Sequence, residues 1–260
     1  MLGYPDQALQ RSHEALALAQ ELTLPLSVGN ALFFSAWVHH FRREWPLTHE
    51  RAEAAIALAT EQGFAVLLAG GTIFRGVTLA AQSSTLDTGR GRGQAEEGIA
   101  QIQQGLEAWR ATGAKVFRPY GLALLAEASA QVGQIETGLT LLAEALAAAN
   151  DTGERRWDAE LPRLKGELLL QSGVRGPESG VSTPHFAEVE ACFRRALDIA
   201  RQQQAKSLEL RAAMSLSRLW QRQGKRAAAH QLLAEVYHWF TEGFDTADLQ
   251  EAKALLDALT

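Results

Sequence analysis

A chain of 260 residues, 47% hydrophobic and 21% charged, has enough apolar material for a sizeable core and is not the composition of a disordered polymer. Its net charge of −5 supplies no positive field for nucleic acid or anionic lipid, and the single cysteine, Cys192, excludes an internal disulfide and any cysteine-based metal cluster. Ala and Leu dominate the apolar share while Val, Ile and Tyr are sparse, which favours helix over strand.

The N-terminus shows no basic region followed by an apolar run, and no stretch approaches the ~18 consecutive apolar residues of a membrane span. A cytoplasmic protein with neither membrane nor nucleic-acid partner is expected. The first helix, over 1–22, carries Ala8, Leu9, Ala15, Leu16 and Ala19 on one face and reads as the second half of a hairpin. With no first helix beside it, that face is expected to self-associate or to fray.

Five helical hairpins follow, over 24–64, 65–114, 117–154, 156–205 and 206–243, and a capping helix over 245–260. They are set by a recurring pair: Ala15-Leu16, Ala55-Ile56, Gly105-Leu106, Ala145-Leu146, Ala196-Leu197 and Val236-Tyr237. Successive pairs stand 40, 50, 40, 51 and 40 residues apart. Apolar or small residues three before and four after each pair complete one helical face. Small residues Ala36, Gly76, Ala126, Gly166 and Ser217 mark the preceding helices and let a neighbour approach closely. The additional residues of the longer units, 83–93 and 174–185, are rich in Gly, Ser, Thr and Pro, as insertions at hairpin tips would be. Gly63, Gly113 and Gly153 fit C-terminal caps, and Pro5, Pro25, Pro46 and Pro119 fit helix openings. Pro162 lies inside an expected first turn, so that helix either starts late or kinks.

Gly133 ahead of Gly138, Leu142 and Ala145-Leu146, and Gly224 ahead of Ala229, Leu233 and Val236, resemble the frame of tetratricopeptide repeats. The resemblance implies an all-α, right-handed superhelical solenoid of tandem antiparallel hairpins over 1–260. The 40-residue unit is similar to the longer repeats in the sensor region of the maltose-regulon transcription activator. Tyr4-Pro5-Asp6-Gln7-Ala8-Leu9, Arg163-Leu164-Lys165-Gly166-Glu167-Leu168-Leu169 and Gly243-Phe244-Asp245-Thr246-Ala247-Asp248-Leu249 resemble the C-terminal region of large bacterial signalling proteins. In these, a class III adenylyl cyclase or other effector and a signal-transduction ATPase precede such repeats.

Chemistry-bearing patterns are weak. Gly89-Arg90-Gly91-Arg92-Gly93 lacks the Lys-Ser/Thr ending of a phosphate loop, and the adjacent His39-His40 point ~100° apart on a helix, too divergent for one ion. No serine stands in a nucleophile elbow, and Glu160 and Glu167 flank Arg163, which favours ion pairing over acid–base work. A non-enzyme without cofactor or metal is therefore expected.

Binding remains. In this repeat class the first helices line the concave face. That phase presents Phe33, Trp37 and His40 from the hairpin over 24–64 and Tyr120 from the one over 117–154, an aromatic end. It presents Arg163, Arg211, Arg218 and Arg222 at the other, within a segment (186–230) or beside it where nine Lys/Arg face four acids. Core packing is the competing reading for Phe33 and Trp37, and pairing with Glu160 and Glu167 for the arginines. The expected partner is a protein or peptide held in the groove; a sugar-like inducer stacked on the aromatic end is the alternative.

Overall fold

The computed structural model describes residues 2–83, 88–174 and 183–260, and every regular element among them is an α-helix. Two compact units result, Asp6–Thr152 and Gly153–Thr260, the second joined by the N-terminal residues up to Pro5.

The N-terminal unit contains α1 (Pro5–Glu21) and three hairpins: α2 (Pro25–Arg42) with α3 (Trp45–Gln62), α4 (Ala65–Gln82) with α5 (Thr88–Ala111), and α6 (Arg118–Gln131) with α7 (Ile135–Thr152). Each first helix packs on its own second helix and on the next first helix, α2 on α3 and α4, and α4 on α5 and α6. The predicted anchors do the packing: Ala52, Ala55, Ile102, Leu142 and Ala145 are all fully buried. So are the small markers Ala36 and Ala126. At Gly76, the marker between them, the helices nearly touch backbones. A Cβ on Gly76 would lie 2.6 Å from the carbonyl oxygen of Gly98, and one on Gly98 would lie 2.5 Å from that of Gly76. α4 is as long and apolar as a membrane-spanning helix, but most of it is buried in this stack, as a core helix should be.

The C-terminal unit holds α8 (Glu160–Val174) with α9 (Thr183–Gln202), α10 (Lys206–Arg222) with α11 (Arg226–Tyr237), and α12 (Ala247–Leu259). α8 packs on α9 and α10, and α10 on α11 and α12. Phe193, Ala196, Leu233, Val236 and Ala252 fill its core. α8 starts late, at Glu160, so Pro162 falls where its missing N–H costs no helical bond. The N-terminal residues clasp this unit. Tyr4 packs on Trp239 with ring centroids 5.5 Å apart, Lys206 lies over the same indole, and Gly243 at φ +75° leaves room for Pro5 where a Cβ would collide.

Punctuation follows the expectation in most places. Gly63, Gly113 and Gly153 take φ of +72°, +80° and +69° after their helices, and Pro5, Pro25, Pro46 and Pro119 sit in first turns. The insertion expected over 83–93 is a different matter. Thr88 onward is helical, so the glycine-rich stretch lengthens α5 to 24 residues instead of forming a free tip. Residues 84–87 and 175–182 of the two expected insertions lie outside the described residues. Thr183–His185 open α9.

Candidate functional site

Aromatic side chains gather on the first helices of the N-terminal unit. Asn30, Phe34, Trp37 and Phe41 follow one stripe of α2. Phe34 stacks on Trp37 at 5.9 Å with planes 4° apart; Trp37 stacks on Phe41 at 6.4 Å and on Tyr120 of α6 at 6.0 Å. Beneath the ladder lie Phe33, Phe74, Trp109 and Phe117. The structure thus brings Phe33, Trp37, His40 and Tyr120 together, all of them buried, with His40 Nε2 and the Tyr120 hydroxyl 2.7 Å apart. The ladder reaches solvent at Phe34, which is 54% exposed. Sequence reasoning chose Phe33 and passed over Phe34. Two adjacent phenylalanines blur the phase, but Phe34 stands three residues before Trp37 and seven before Phe41, which marks the outward stripe.

An ionic chain closes the lower end of α2. Arg42, itself buried, donates from Nε to Glu44 (2.7 Å) and from Nη1 to Asp6 at the start of α1 (2.9 Å). The second carboxylate oxygen of Glu44 meets His39 Nδ1 at 2.5 Å. Burial alone would raise the Glu44 pKa, but the bonds from His39 and Arg42 outweigh it and hold the carboxyl below its ordinary 4.5. A depressed carboxylate contributes stability that is present above its unfolded pKa and lost as pH falls through the folded one. Hydrogen-exchange protection of the Arg43 and Glu44 amides, which close α2 onto the carbonyls of His40 and His39, should therefore drop as the pH falls below the ordinary carboxylate value of 4.5. Glu44→Gln should flatten that profile; an unchanged profile would mean the carboxylate does not hold the helix end.

The C-terminal unit carries a ladder of charges instead. Glu160 accepts two bonds from Arg163, at 2.9 and 2.7 Å, and lies 3.7 Å from Arg211. Arg211 donates from Nε to Asp248 of α12 at 2.7 Å. Arg218 pairs with Glu251 at 3.0 Å, and Ser215 donates to Glu167 at 2.6 Å. Burial works to lower the Arg211 pKa, but Asp248 and Glu160 overcome it and raise it above its ordinary value. Arg163, Arg211 and Arg218 lie on the first helices α8 and α10, with their charges paired to acids on α8 and α12. Arg222 at the end of α10 is exposed. Half-buried Cys192 has its thiol pushed up by burial, so it is not a ready thiolate. Among the described residues no group of three His, Cys, Asp or Glu is placed to hold a metal ion.

Beside the aromatic ladder, α1 and α2 part to leave an open groove of about 600 Å³. Its walls are Ala15 and Leu18 of α1, Leu22 just beyond its end, and Ala31, Phe34 and Val38 of α2. Leu18 is 56% exposed and Leu22 53%, so α1 buries little beyond Leu16 and Ala19.

No protein-family model matches the chain. An uncharacterized protein of Rhizobium meliloti (strain 1021) is 32% identical over 122 residues, which is 47% of this chain and 11% of that protein. This chain thus covers a small part of the length of the curated relative it matches. Among solved structures, the apo form of RapI aligns over 98% of this chain and 79% of its own, with a TM-score of 0.61 at 12% identity, a likeness of fold. Tetratricopeptide-like repeats from a Podosopora anserina protein related to kinesin light chain align over 90% of this chain and 94% of theirs (TM-score 0.44, 16% identity). The fold is an all-α array of tetratricopeptide-like hairpins.

Proposed function

We propose that this chain is a non-catalytic docking module that holds a protein or peptide along the first-helix layer of its hairpins. The ring ladder ending at exposed Phe34 carries the reading. Stacked rings held from beneath lose little conformational entropy on binding, which is what an aromatic anchor needs. In this reading Phe33, Trp37, His40 and Tyr120 position the ladder. Arg163 and Arg211 hold the layer of the C-terminal unit, and Arg218 and Arg222 offer positive charge there. A sugar-like inducer would need open ring faces, whereas Phe33, Trp37 and Tyr120 use theirs on one another. The polypeptide is the better-supported partner.

The setting proposed is a cytoplasmic module of a larger bacterial signalling protein, next to an ATPase or class III adenylyl cyclase. Its support is the sequence resemblance together with the much greater length of the Rhizobium meliloti relative. Panning a displayed random-peptide library on the full chain tests the docking function. Enriched peptides should bind Phe34→Ser about tenfold more weakly or worse, with an unchanged melt. Enrichment of nothing, or of peptides indifferent to Phe34, would defeat the reading.

A further inference from the structure

Two glycines in the left-handed region meet at the clasp on the C-terminal unit. Gly243, at φ +75°, leaves room for the Pro5 ring, with which a Cβ would collide. Gly3, at φ +97°, lies so close to Trp239 that a Cβ would strike the indole and stand 2.8 Å from the Lys206 Cβ. Neither position accepts a side chain without opening the contact. A chance touch between surface residues makes no such demand on both sides at once.

The receiving side is held by contacts of its own. Buried Phe240 meets the Trp239 indole edge-on at 5.3 Å. Lys206 Nζ lies over the same indole at 5.4 Å and is fixed there by buried Glu209 at 2.7 Å. The Gly243 carbonyl accepts from the Thr246 amide at 2.9 Å and from its hydroxyl at 2.6 Å. None of these contacts involves Tyr4 or Pro5, so the surface keeps its shape when they leave. The incoming side has the chemistry of a ligand. Pro5 has a fixed φ and no N–H to leave unpaired, and Tyr4 lays its ring against the indole at 5.5 Å. Aromatic-walled sites take proline-bearing segments because ordering them costs little conformational entropy.

We infer that Trp239, Lys206 and Gly243 form a seat for a Gly-aromatic-Pro segment, and that Gly3-Tyr4-Pro5 is its intramolecular ligand, a latch that keeps the seat filled. A ligand tethered to its own seat competes at an effective concentration of about millimolar, so a free peptide of the same kind binds well only when the latch is open. The seat uses none of the residues of the ring ladder and stands whether or not the docking function does.

The test uses the full 260-residue chain and a free peptide with the sequence of residues 2–6, blocked at both ends. Tyr4 is 44% exposed and precedes α1, so Tyr4→Ala opens the latch and leaves the helices intact. In that variant the peptide should shift the Trp239 indole N–H resonance saturably. The parent chain should need at least tenfold more peptide for the same shift. Peptides carrying Tyr4→Ala or Gly3→Ala should produce none. Gly243→Ala keeps the segment but spoils the seat, so the nuclear Overhauser contact between the Tyr4 and Trp239 rings should vanish and no peptide should bind. No saturable shift in Tyr4→Ala, equal affinity for that variant and the parent, or binding indifferent to the peptide's tyrosine and glycine overturns the seat. A Gly243→Ala chain that keeps its ring contact overturns it as well.

Discussion

Replacing Gly76 by valine is expected to unfold the N-terminal unit under conditions where the parent chain is intact. In an exposed helix, glycine is about 1 kcal/mol worse than alanine, so adding a side chain usually helps. Gly76 reverses the sign. Its added Cβ would stand 2.6 Å from the Gly98 carbonyl oxygen and 2.9 Å from the Ile102 amide nitrogen, backbone atoms that cannot swing aside. α4 and α5 would have to separate along their whole crossing, and overpacking of this kind costs about 3 kcal/mol or more. Gly93 is the control within the same pair of helices. It lies in α5 with nothing within 4 Å of an added Cβ, so Gly93→Ala should stabilise by about 0.5–1 kcal/mol. Urea titration followed by circular dichroism separates the two. A Gly76→Val midpoint equal to the parent's would show that the helices do not meet there.

Arg211→Met should strongly destabilise the C-terminal unit. The guanidinium lies between Asp248 at 2.7 Å and Glu160 at 3.7 Å, with its side chain 15% exposed. Removing one member of a buried charge group strands the others, at a cost of about 3–5 kcal/mol. Glu160 keeps Arg163, whereas Asp248 loses the guanidinium 2.7 Å away, and adding Asp248→Asn to Arg211→Met should restore part of the loss. Arg218→Ala, removing a half-exposed pair with Glu251, should cost only about 0.5 kcal/mol. The measurement is again urea unfolding, with the double variant deciding between lost charge pairing and lost packing. A double variant no better than Arg211→Met alone would assign the cost to packing.

Much of this architecture is legible in the residues because a repeat states its core many times over. Ala55, Ala145 and Ala196 stand in register, and all three are fully buried. Ala36, Ala126 and Ser217 mark helix crossings in the same way. What repeats cannot state is the exceptional position. Gly89-Arg90-Gly91-Arg92-Gly93 has the composition of a linker, yet it continues α5. Thr23, Arg43, Phe117 and Gln204 adopt positive φ without being glycine, so no residue type announces those turns. Phe117 is the costly one. Its backbone strain is offset by burial of its ring against Trp37 at 5.1 Å and Trp109 at 4.9 Å. The proposed binding layer is half legible for a related reason. Helical phase places Trp37 on the first-helix layer, but whether its ring faces a partner or a neighbour depends on side chains 37 and 83 residues further on, Phe74 and Tyr120.

The clasp of Tyr4 and Pro5 on Trp239 and Gly243 also bears on the order in which the molecule assembles. Tyr4 and Trp239 are 235 positions apart, nearly the full length of the chain. Every hairpin joins neighbours in sequence and can form locally, whereas the clasp closes the longest loop the backbone contains, and loop closure costs more as the loop lengthens. It is therefore expected to form late in folding and, resting on a few side chains, to open early. α1 begins at Pro5, inside the clasp. Opening the clasp would therefore release Pro5, the first residue of α1, together with Tyr4.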